Sequence, residues 1–235
     1  MRRVAAFFDI DHTVLEVNSG TKWVSHQWRT RQLSVGQLLQ AMRWLVEYRF
    51  GLLDYDAMAR RILVGYRGRE VLSIYREVEA FFERDVAWAI CEQAREKIAH
   101  HREQGHVIAL LTSATHFLST PLAKVLDVEH VLCTEVEVDA GVLTGNTIEP
   151  LCYGPGKVRR AECFAEAHDI VLEDSYFYSD SISDLPMLER VGHPRVVNPD
   201  PRLRRLAAAR GWSYEIWKAP PRVVAMREHV ESRTG

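Results

Sequence analysis

The chain has 235 residues, 47% of them hydrophobic, and a formal net charge of −2 at pH 7. This composition excludes a disordered chain, and the near-neutral charge excludes a strong overall attraction to nucleic acid or anionic lipid. No apolar run approaches the ~20 residues of a membrane helix, and the four cysteines form no CxxC pair, so we expect a cytoplasmic protein with reduced thiols.

The chain opens with a short apolar run, Val4–Phe8, which is typical of a buried parallel strand. From about residue 21 to 102, apolar residues recur at helical spacing, which predicts four or five helices, with Asp54 and Asp85 as N-caps of two of them. Strand patterns return at 107–111, 176–178 and 196–197, with a hairpin over 135–144 and an edge strand over 213–217. Further helices are predicted over 118–126, 157–168, 184–190 and 201–210. Alternating strands and helices predict an α/β fold with a parallel sheet covered on both faces.

Two carboxylates follow the first strand directly, in the sequence Asp9-Ile10-Asp11-His12-Thr13. In a parallel sheet, ligands bind beyond the carboxyl ends of the strands, so both acids are placed to face a binding crevice. Such a pair repels itself unless a proton or a cation offsets the charge. Oxygen-only ligands favour a hard ion, and the sequence therefore predicts a Mg²⁺ site here.

Polar residues also follow the later strands. Thr112 and Ser113 end the second strand, where small hydroxyl side chains bind a phosphate oxygen or cap the next helix. Lys157 stands at a predicted helix start, which the helix dipole disfavours for a cation and which indicates an anion partner. The glycines before Lys157 do not have the spacing of a P-loop. Asp180 and Asp184 follow the third strand, and Asp184 is either a site residue or only a helix cap.

Taken together in this order, the four segments resemble the motifs of the haloacid dehalogenase-like hydrolase superfamily. The DxDxT motif is Asp9 to Thr13, the second motif is Thr112, the third is Lys157 and the fourth is the pair Asp180 and Asp184. Within the superfamily the chain most resembles the subfamily IB, phosphoserine phosphatase-like branch. The resemblance implies a Rossmann-like core domain over residues 1–18 and 104–235, and a helical C1 cap domain over residues 19–103.

The resemblance also implies a mechanism and a role for each residue. Asp9 would attack phosphorus and form an aspartyl-phosphate, and Asp11 would act as general acid and then as general base. Mg²⁺ would be held by the side chains of Asp9 and Asp180 and by the main-chain carbonyl of Asp11. The phosphate-binding residues would be Thr112, Ser113 and Lys157, and Asp184 would orient Lys157 or a metal-bound water. The expected activity is Mg²⁺-dependent hydrolysis of a small phosphorylated metabolite.

The sequence departs from the phosphoserine phosphatase pattern at Asn18, where a glutamate is expected to hold the substrate amine, and Glu16 lies two residues earlier. We therefore do not expect phosphoserine to be the substrate. Transfer of phosphate to an alcohol, and a non-catalytic protein that binds a phosphorylated ligand, remain as alternatives. No nucleic acid and no stable membrane association are expected, and the sequence leaves the oligomeric state open. Candidates for substrate selection within residues 19–103 are Trp23, His26, Arg29 and Arg43, and the favoured alternative is that they are ordinary packing or surface residues.

Overall fold

The computed structural model describes residues 2–50 and 53–221 of the chain. The first half contains β1 (Ala5–Phe8), α1 (Ser19–Arg29), α2 (Val35–Phe50), α3 (Tyr55–Val64), α4 (Val71–Phe81) and α5 (Glu92–Glu103). The second half contains β2 (Val107–Thr115), α6 (His116–Leu126), β3 (His130–Asp139), β4 (Val142–Ile148), α7 (Pro155–Ala167), β5 (Tyr176–Ser179), α8 (Leu185–Arg190), β6 (His193–Val197), α9 (Pro201–Arg210) and β7 (Tyr214–Glu215).

In the described residues, all the strands belong to one sheet with the order β4-β3-β2-β1-β5-β6-β7. Neighbouring strands are parallel except for β3 and β4, which form an antiparallel hairpin. The predicted α/β fold with a mostly parallel, Rossmann-like sheet is confirmed. Strand β1 lies at the centre, between β2 and β5, so the three strand ends that carry most of the predicted site residues are neighbours.

The two faces of β1 belong to different apolar clusters, which explains why its residues form a continuous apolar run. Ala6 and Phe8 pack in a cluster with helices of residues 19–103, which we call the helical insertion. Ala5 and Phe7 pack on the other face, under α7, α8 and α9. All four of these side chains are 0% exposed. Burial of each phenylalanine contributes roughly 1.5–3 kcal/mol, which anchors the strand that carries Asp9.

The helical insertion has the expected helices, and one of the two predicted N-caps is confirmed. The Asp54 side chain accepts a hydrogen bond from the Ala57 amide and caps α3. The prediction for Asp85 is wrong, because this residue lies inside a π-helical segment, Phe82–Val86, that continues α4. Phe82 and Val86 are buried there, and this packing keeps the chain helical past Asp85. The Asp85 carboxylate pairs instead with Arg29 and Arg84.

Strand β2 is longer than its apolar pattern predicts. The pattern ends at Leu111, but the strand continues through Thr115, which pairs with Thr134 of β3 beyond an irregularity in the register. Thr112 and Ser113 therefore lie within an extended segment, and α6 begins only at His116. The partner strand β3 causes the extension, because it supplies ladder partners that the local sequence does not reveal.

The hairpin β3–β4 is joined to the helical insertion by main-chain hydrogen bonds. The amides of Gly68 and Val71 donate to the carbonyls of Leu143 and Gly141, and the Leu143 amide donates to the Arg69 carbonyl. The insertion thus contacts the sheet through its own backbone as well as through the shared core. The division into a core domain (1–18 and 104–235) and a cap domain (19–103) stays a prediction.

Two further predictions concern the whole chain. The four cysteines are free thiols, of which Cys163 is exposed and the others are buried. Across the described residues, no helix combines the length and the hydropathy needed to cross a membrane.

Candidate active site

The centre of the candidate site is Lys157, whose ammonium group joins two carboxylates from other elements. Its Nζ donates to Asp9 Oδ1 at 2.6 Å and to Asp184 Oδ2 at 2.7 Å. The Lys157 and Asp184 side chains are each 2% exposed. The two carboxylates raise the pKa of Lys157 against the opposing effect of burial, so the lysine stays protonated. The anion partner predicted for Lys157 is thus supplied, at least in part, by the protein's own acids.

The turn before α7 places Lys157 in this position. Gly154 adopts a positive φ of 50°, and Pro155 begins the helix. A Cβ atom added at Gly156 would lie 1.8 Å from the Leu151 carbonyl oxygen, so only glycine allows this close approach. The glycines before Lys157 therefore serve the backbone geometry that directs the lysine inward.

Asp9 and Asp180 follow adjacent strands, β1 and β5, which pair in parallel. The Asp9 amide donates to the Tyr178 carbonyl at 2.9 Å, and the Asp9 and Asp180 residues are 7% and 8% exposed. Burial raises the pKa of Asp9 to about 7 even though Lys157 opposes the shift. Burial and the neighbouring charges of Asp9 and Asp184 raise the pKa of Asp180 well above its usual range. These acids outnumber the single lysine among them.

Asp11 lies at the same end of β1 and has its own partner. The Ser19 amide donates to Asp11 Oδ1 at 2.8 Å, so the first turn of α1 orients this carboxylate. Burial raises the pKa of Asp11, and the hydrogen bonds of Ser19 oppose the rise. His12 follows with a positive φ of 57°, and its carbonyl accepts from Asn198 Nδ2 at 2.9 Å. The His12 residue is exposed, and it is the hydrogen bond from Asn198 to its main-chain carbonyl that holds the loop after β1 in place.

Thr112 and Ser113 lie at the end of β2, beside β1. The Thr112 residue is 2% exposed, and its Oγ1 accepts from the Ala114 amide at 3.2 Å. The Ser113 carbonyl accepts from Thr134 Oγ1 at 2.9 Å and from the Tyr55 hydroxyl at 2.7 Å. The structure therefore brings these two residues to the same end of the sheet as Asp9.

Asp184 is not a helix cap, although it directly precedes α8. Its side chain makes no capping hydrogen bond. Its carboxylate accepts instead from Lys157 Nζ and from Ser179 Oγ, both at 2.7 Å. Asp184 therefore contacts Lys157 and makes no capping bond, and its role in the site stays a prediction.

Sequence reasoning missed a contact between the helical insertion and the site. Tyr55, the first residue of α3, stacks on Tyr153 with ring centroids 4.1 Å apart and planes 8° from parallel. Burial raises the pKa of Tyr55 to about 12, so its hydroxyl remains a donor to the Ser113 carbonyl. The sequence offers one signal for this contact: Tyr153 directly precedes the segment Gly154–Lys157. Tyr55 thus links the insertion to both the β2 end and the Lys157 turn.

The insertion residues considered for substrate selection are engaged in structural contacts. Trp23 Nε1 donates to the Tyr66 hydroxyl, and the His26 ring packs on Phe81. Two arginines form ion pairs, Arg29 with Asp85 at 2.9 Å and Arg43 with Glu47 at 2.7 Å. Trp23 and His26 are therefore packing residues, and Arg29 and Arg43 are surface residues with side chains 56% and 72% exposed.

The donor set fits a divalent cation. A proton or a cation offsets the buried carboxylates that exceed Lys157 in number, and all their donor atoms are oxygens, as Mg²⁺ prefers. Among the described residues, no three acidic, histidine or cysteine side chains converge as a ready-made chelate. A site that uses two carboxylates, Asp9 and Asp180, and the main-chain carbonyl of Asp11 is compatible with that observation.

Comparison with known proteins identifies the family. The family model for haloacid dehalogenase-like hydrolases matches residues 6–189. The chain is 31% identical to a probable phosphatase of Mycobacterium tuberculosis over 234 residues, covering 97% of this chain and 79% of that protein. It is 27% identical to a histidinol-phosphatase of Neisseria meningitidis serogroup C over 215 residues, covering 88% and 96%.

Solved structures agree. A protein of unknown function from Bordetella pertussis superposes with a TM-score of 0.81 at 31% identity, over 92% of this chain and 99% of the other. A substrate-bound phosphoserine phosphatase superposes with a TM-score of 0.68 over 92% and 93% of the two chains, and at 18% identity it shows the shared fold alone. The motifs, the sheet order and these matches lead to one conclusion: the chain belongs to the haloacid dehalogenase-like hydrolase family.

Proposed function

We propose that this phosphatase of the haloacid dehalogenase-like family is a Mg²⁺-dependent phosphomonoesterase that forms an aspartyl-phosphate on Asp9. The observation that carries the proposal is the buried Asp9 carboxylate, bonded to Lys157 and surrounded by further acids. A carboxylate buried next to excess negative charge is costly for stability alone. Its position therefore favours a chemical role.

The proposed reaction uses each residue according to its contacts. Asp9 attacks phosphorus, and its oxygen becomes bonded to the phosphoryl group. Asp11, whose raised pKa suits a proton donor and whose carboxylate is oriented by the Ser19 amide, gives its proton to the leaving alkoxide. Asp11 then accepts a proton from the water that hydrolyses the intermediate. Lys157, Thr112 and Ser113 hold the phosphoryl oxygens, and Asp184 orients Lys157.

The Asp9 and Asp180 side chains and the Asp11 carbonyl would hold Mg²⁺. The ion supplies positive charge that lowers the repulsion between the Asp9 anion and the anionic phosphate. We further propose that the insertion over residues 19–103 covers the site and excludes water, with Tyr55 as its contact to the phosphate-binding end.

The substrate is proposed to be a small phosphorylated metabolite other than phosphoserine. The Asn18 side chain accepts from the Thr21 amide at 2.8 Å and caps α1. Glu16 pairs with Lys218 at 2.9 Å. Neither residue therefore offers a free carboxylate to a substrate ammonium group. The phosphatase names of the relatives support the phosphomonoester class, and a location in the cytoplasm stays a prediction.

The test is a screen of the purified protein against a panel of phosphorylated metabolites and 4-nitrophenyl phosphate, with Mg²⁺ and with EDTA. We expect phosphate release that EDTA stops and Mg²⁺ restores, and loss of turnover in Asp9→Asn. Full activity in EDTA would remove the metal from the mechanism, and near-normal activity of Asp9→Asn would show that the nucleophile is another residue. Phosphate transfer to an added alcohol in place of water would favour the phosphotransferase alternative.

A further inference from the structure

The main-chain carbonyl of Ser113 accepts two hydrogen bonds from different parts of the fold. The Tyr55 hydroxyl, at the start of α3 in the helical insertion, donates to it at 2.7 Å. The Thr134 hydroxyl of β3 donates to it at 2.9 Å, and Thr134 Oγ1 in turn accepts from the Cys152 amide at 3.2 Å. Because a carbonyl oxygen has two acceptor sites, both are now used. The peptide group that joins Ser113 to Ala114 is therefore held in one orientation.

The amide of the same peptide group contacts Thr112. The Ala114 amide donates to Thr112 Oγ1 at 3.2 Å. Since hydrogen bonds in a chain polarise one another, a peptide group whose carbonyl accepts hydrogen bonds has a stronger amide donor. Within residues 2–50 and 53–221, no group accepts from the Thr112 hydroxyl, and the residue is only 2% exposed. This buried hydroxyl therefore keeps its hydrogen for an oxygen atom of a bound ligand.

We propose that Tyr55 is a positioning residue that strengthens the bond from the Thr112 hydroxyl to a phosphoryl oxygen. The donors all act in one direction: the Tyr55 hydroxyl donates to the Ser113 carbonyl, the Ala114 amide donates to Thr112 Oγ1, and the Thr112 hydroxyl donates to the phosphate. We call this series the hydrogen-bond relay. The inference rests on the proposed function, which places Thr112 at the phosphate. Through the relay, the insertion contributes to phosphate binding without touching the phosphate.

The surroundings of Tyr55 hold its hydroxyl in place as a donor. Its ring stacks on Tyr153 at 4.1 Å between centroids, and Tyr153 follows Cys152, whose amide bonds to Thr134. The same segment thus supports both donors to the Ser113 carbonyl. Because the stack involves the ring and the relay involves the hydroxyl, Tyr55→Phe removes the relay donor and keeps the stack.

The experiment measures the dissociation constant of inorganic phosphate for the full chain, by isothermal titration calorimetry in the presence of Mg²⁺. We expect Tyr55→Phe to weaken phosphate binding about threefold, which lies within the range of one neutral hydrogen bond. The matched control is Tyr214→Phe, because Tyr214 is exposed on β7, and this variant should bind phosphate like the unaltered protein. Circular dichroism confirms that each variant is folded.

A double-mutant cycle separates the relay from a purely structural role of Tyr55. Thr112→Val removes the hydroxyl at the end of the relay, so adding Tyr55→Phe should then weaken phosphate binding no further. Thr112→Ser keeps a hydroxyl, and in this background the threefold effect of Tyr55→Phe should return. Phosphate is titrated to concentrations that saturate the weaker Thr112→Val complex.

Two results would overturn the relay and leave the proposed function standing. One is a dissociation constant for phosphate in Tyr55→Phe that equals that of the unaltered protein. The other is an equal weakening by Tyr55→Phe in the unaltered and Thr112→Val backgrounds, which would show that Tyr55 acts without Thr112. Absence of phosphate binding by the unaltered protein would instead contradict the phosphate site, and with it both the relay and the proposed function.

Discussion

Replacing the proposed nucleophile, Asp9→Asn, should stabilise the metal-free protein. The fold raises the pKa of Asp9 from 3.8 to about 7. A carboxyl group with a raised pKa contributes most to stability while it is protonated, and the contribution is lost as the pH rises from 3.8 through about 7. Asparagine has the shape of the protonated acid and no charge to lose, and its oxygen can still accept from Lys157.

The size of the effect follows from the pKa difference, at 1.36 kcal/mol per unit. Once Asp9 is fully ionised, near pH 8, the variant should exceed the unaltered protein by up to roughly 4 kcal/mol in free energy of unfolding. Near pH 5, where the folded protein keeps most of the Asp9 proton, the gain should be only roughly 2 kcal/mol. The gain therefore grows with pH, although the variant has lost the proposed nucleophile.

The assay is urea unfolding in EDTA near pH 5 and near pH 8, monitored by circular dichroism. A control is Asp127→Asn, because the Asp127 side chain is 95% exposed and its backbone is left-handed, which asparagine tolerates. This control should change stability by less than about 0.5 kcal/mol at either pH. If Asp9→Asn is no more stable than the unaltered protein near pH 8, the Asp9 charge is already compensated in the metal-free fold and does not favour a bound cation.

Two further predictions concern contacts away from the nucleophile. Tyr55→Phe removes the hydroxyl that donates to the Ser113 carbonyl but keeps the ring stack. The free energy of unfolding, measured in urea, should therefore fall by about 1 kcal/mol. A fall no larger than that of the exposed control Tyr214→Phe would contradict the contact. His101 is 2% exposed, and burial lowers its pKa to about 4. As the pH drops, His101 is therefore protonated in the unfolded chain before it is protonated in the folded protein. The free energy of unfolding should fall between pH 6.5 and about pH 4, by at most about 3 kcal/mol. His101→Gln should flatten this slope, and an unchanged slope would show that other groups cause it.

The local sequence was informative where a residue's environment depends on its chain neighbours. The run Val4–Phe8 predicted a buried strand because every residue in it is apolar, and β1 indeed has both faces covered. Asp54 was recognisable as a cap because it directly precedes the helix it caps. The order of motifs along the chain was enough to indicate the family. The catalytic, phosphate-binding and metal-binding roles assigned from that resemblance stay predictions.

The sequence by itself thus determined the α/β alternation, the helical insertion and the strand ends at which acids and hydroxyls gather, since hydrophobic period and capping act over a few residues. Only the tertiary structure decided that Lys157 bonds to Asp9, 148 positions away, that Thr134 extends β2, and that Tyr55 reaches Ser113. It also overruled the cap expected at Asp85, because burial of Phe82 and Val86 keeps that segment helical. Contacts between distant segments depend on how layers of the fold pack, and no local pattern in the chain encodes that packing.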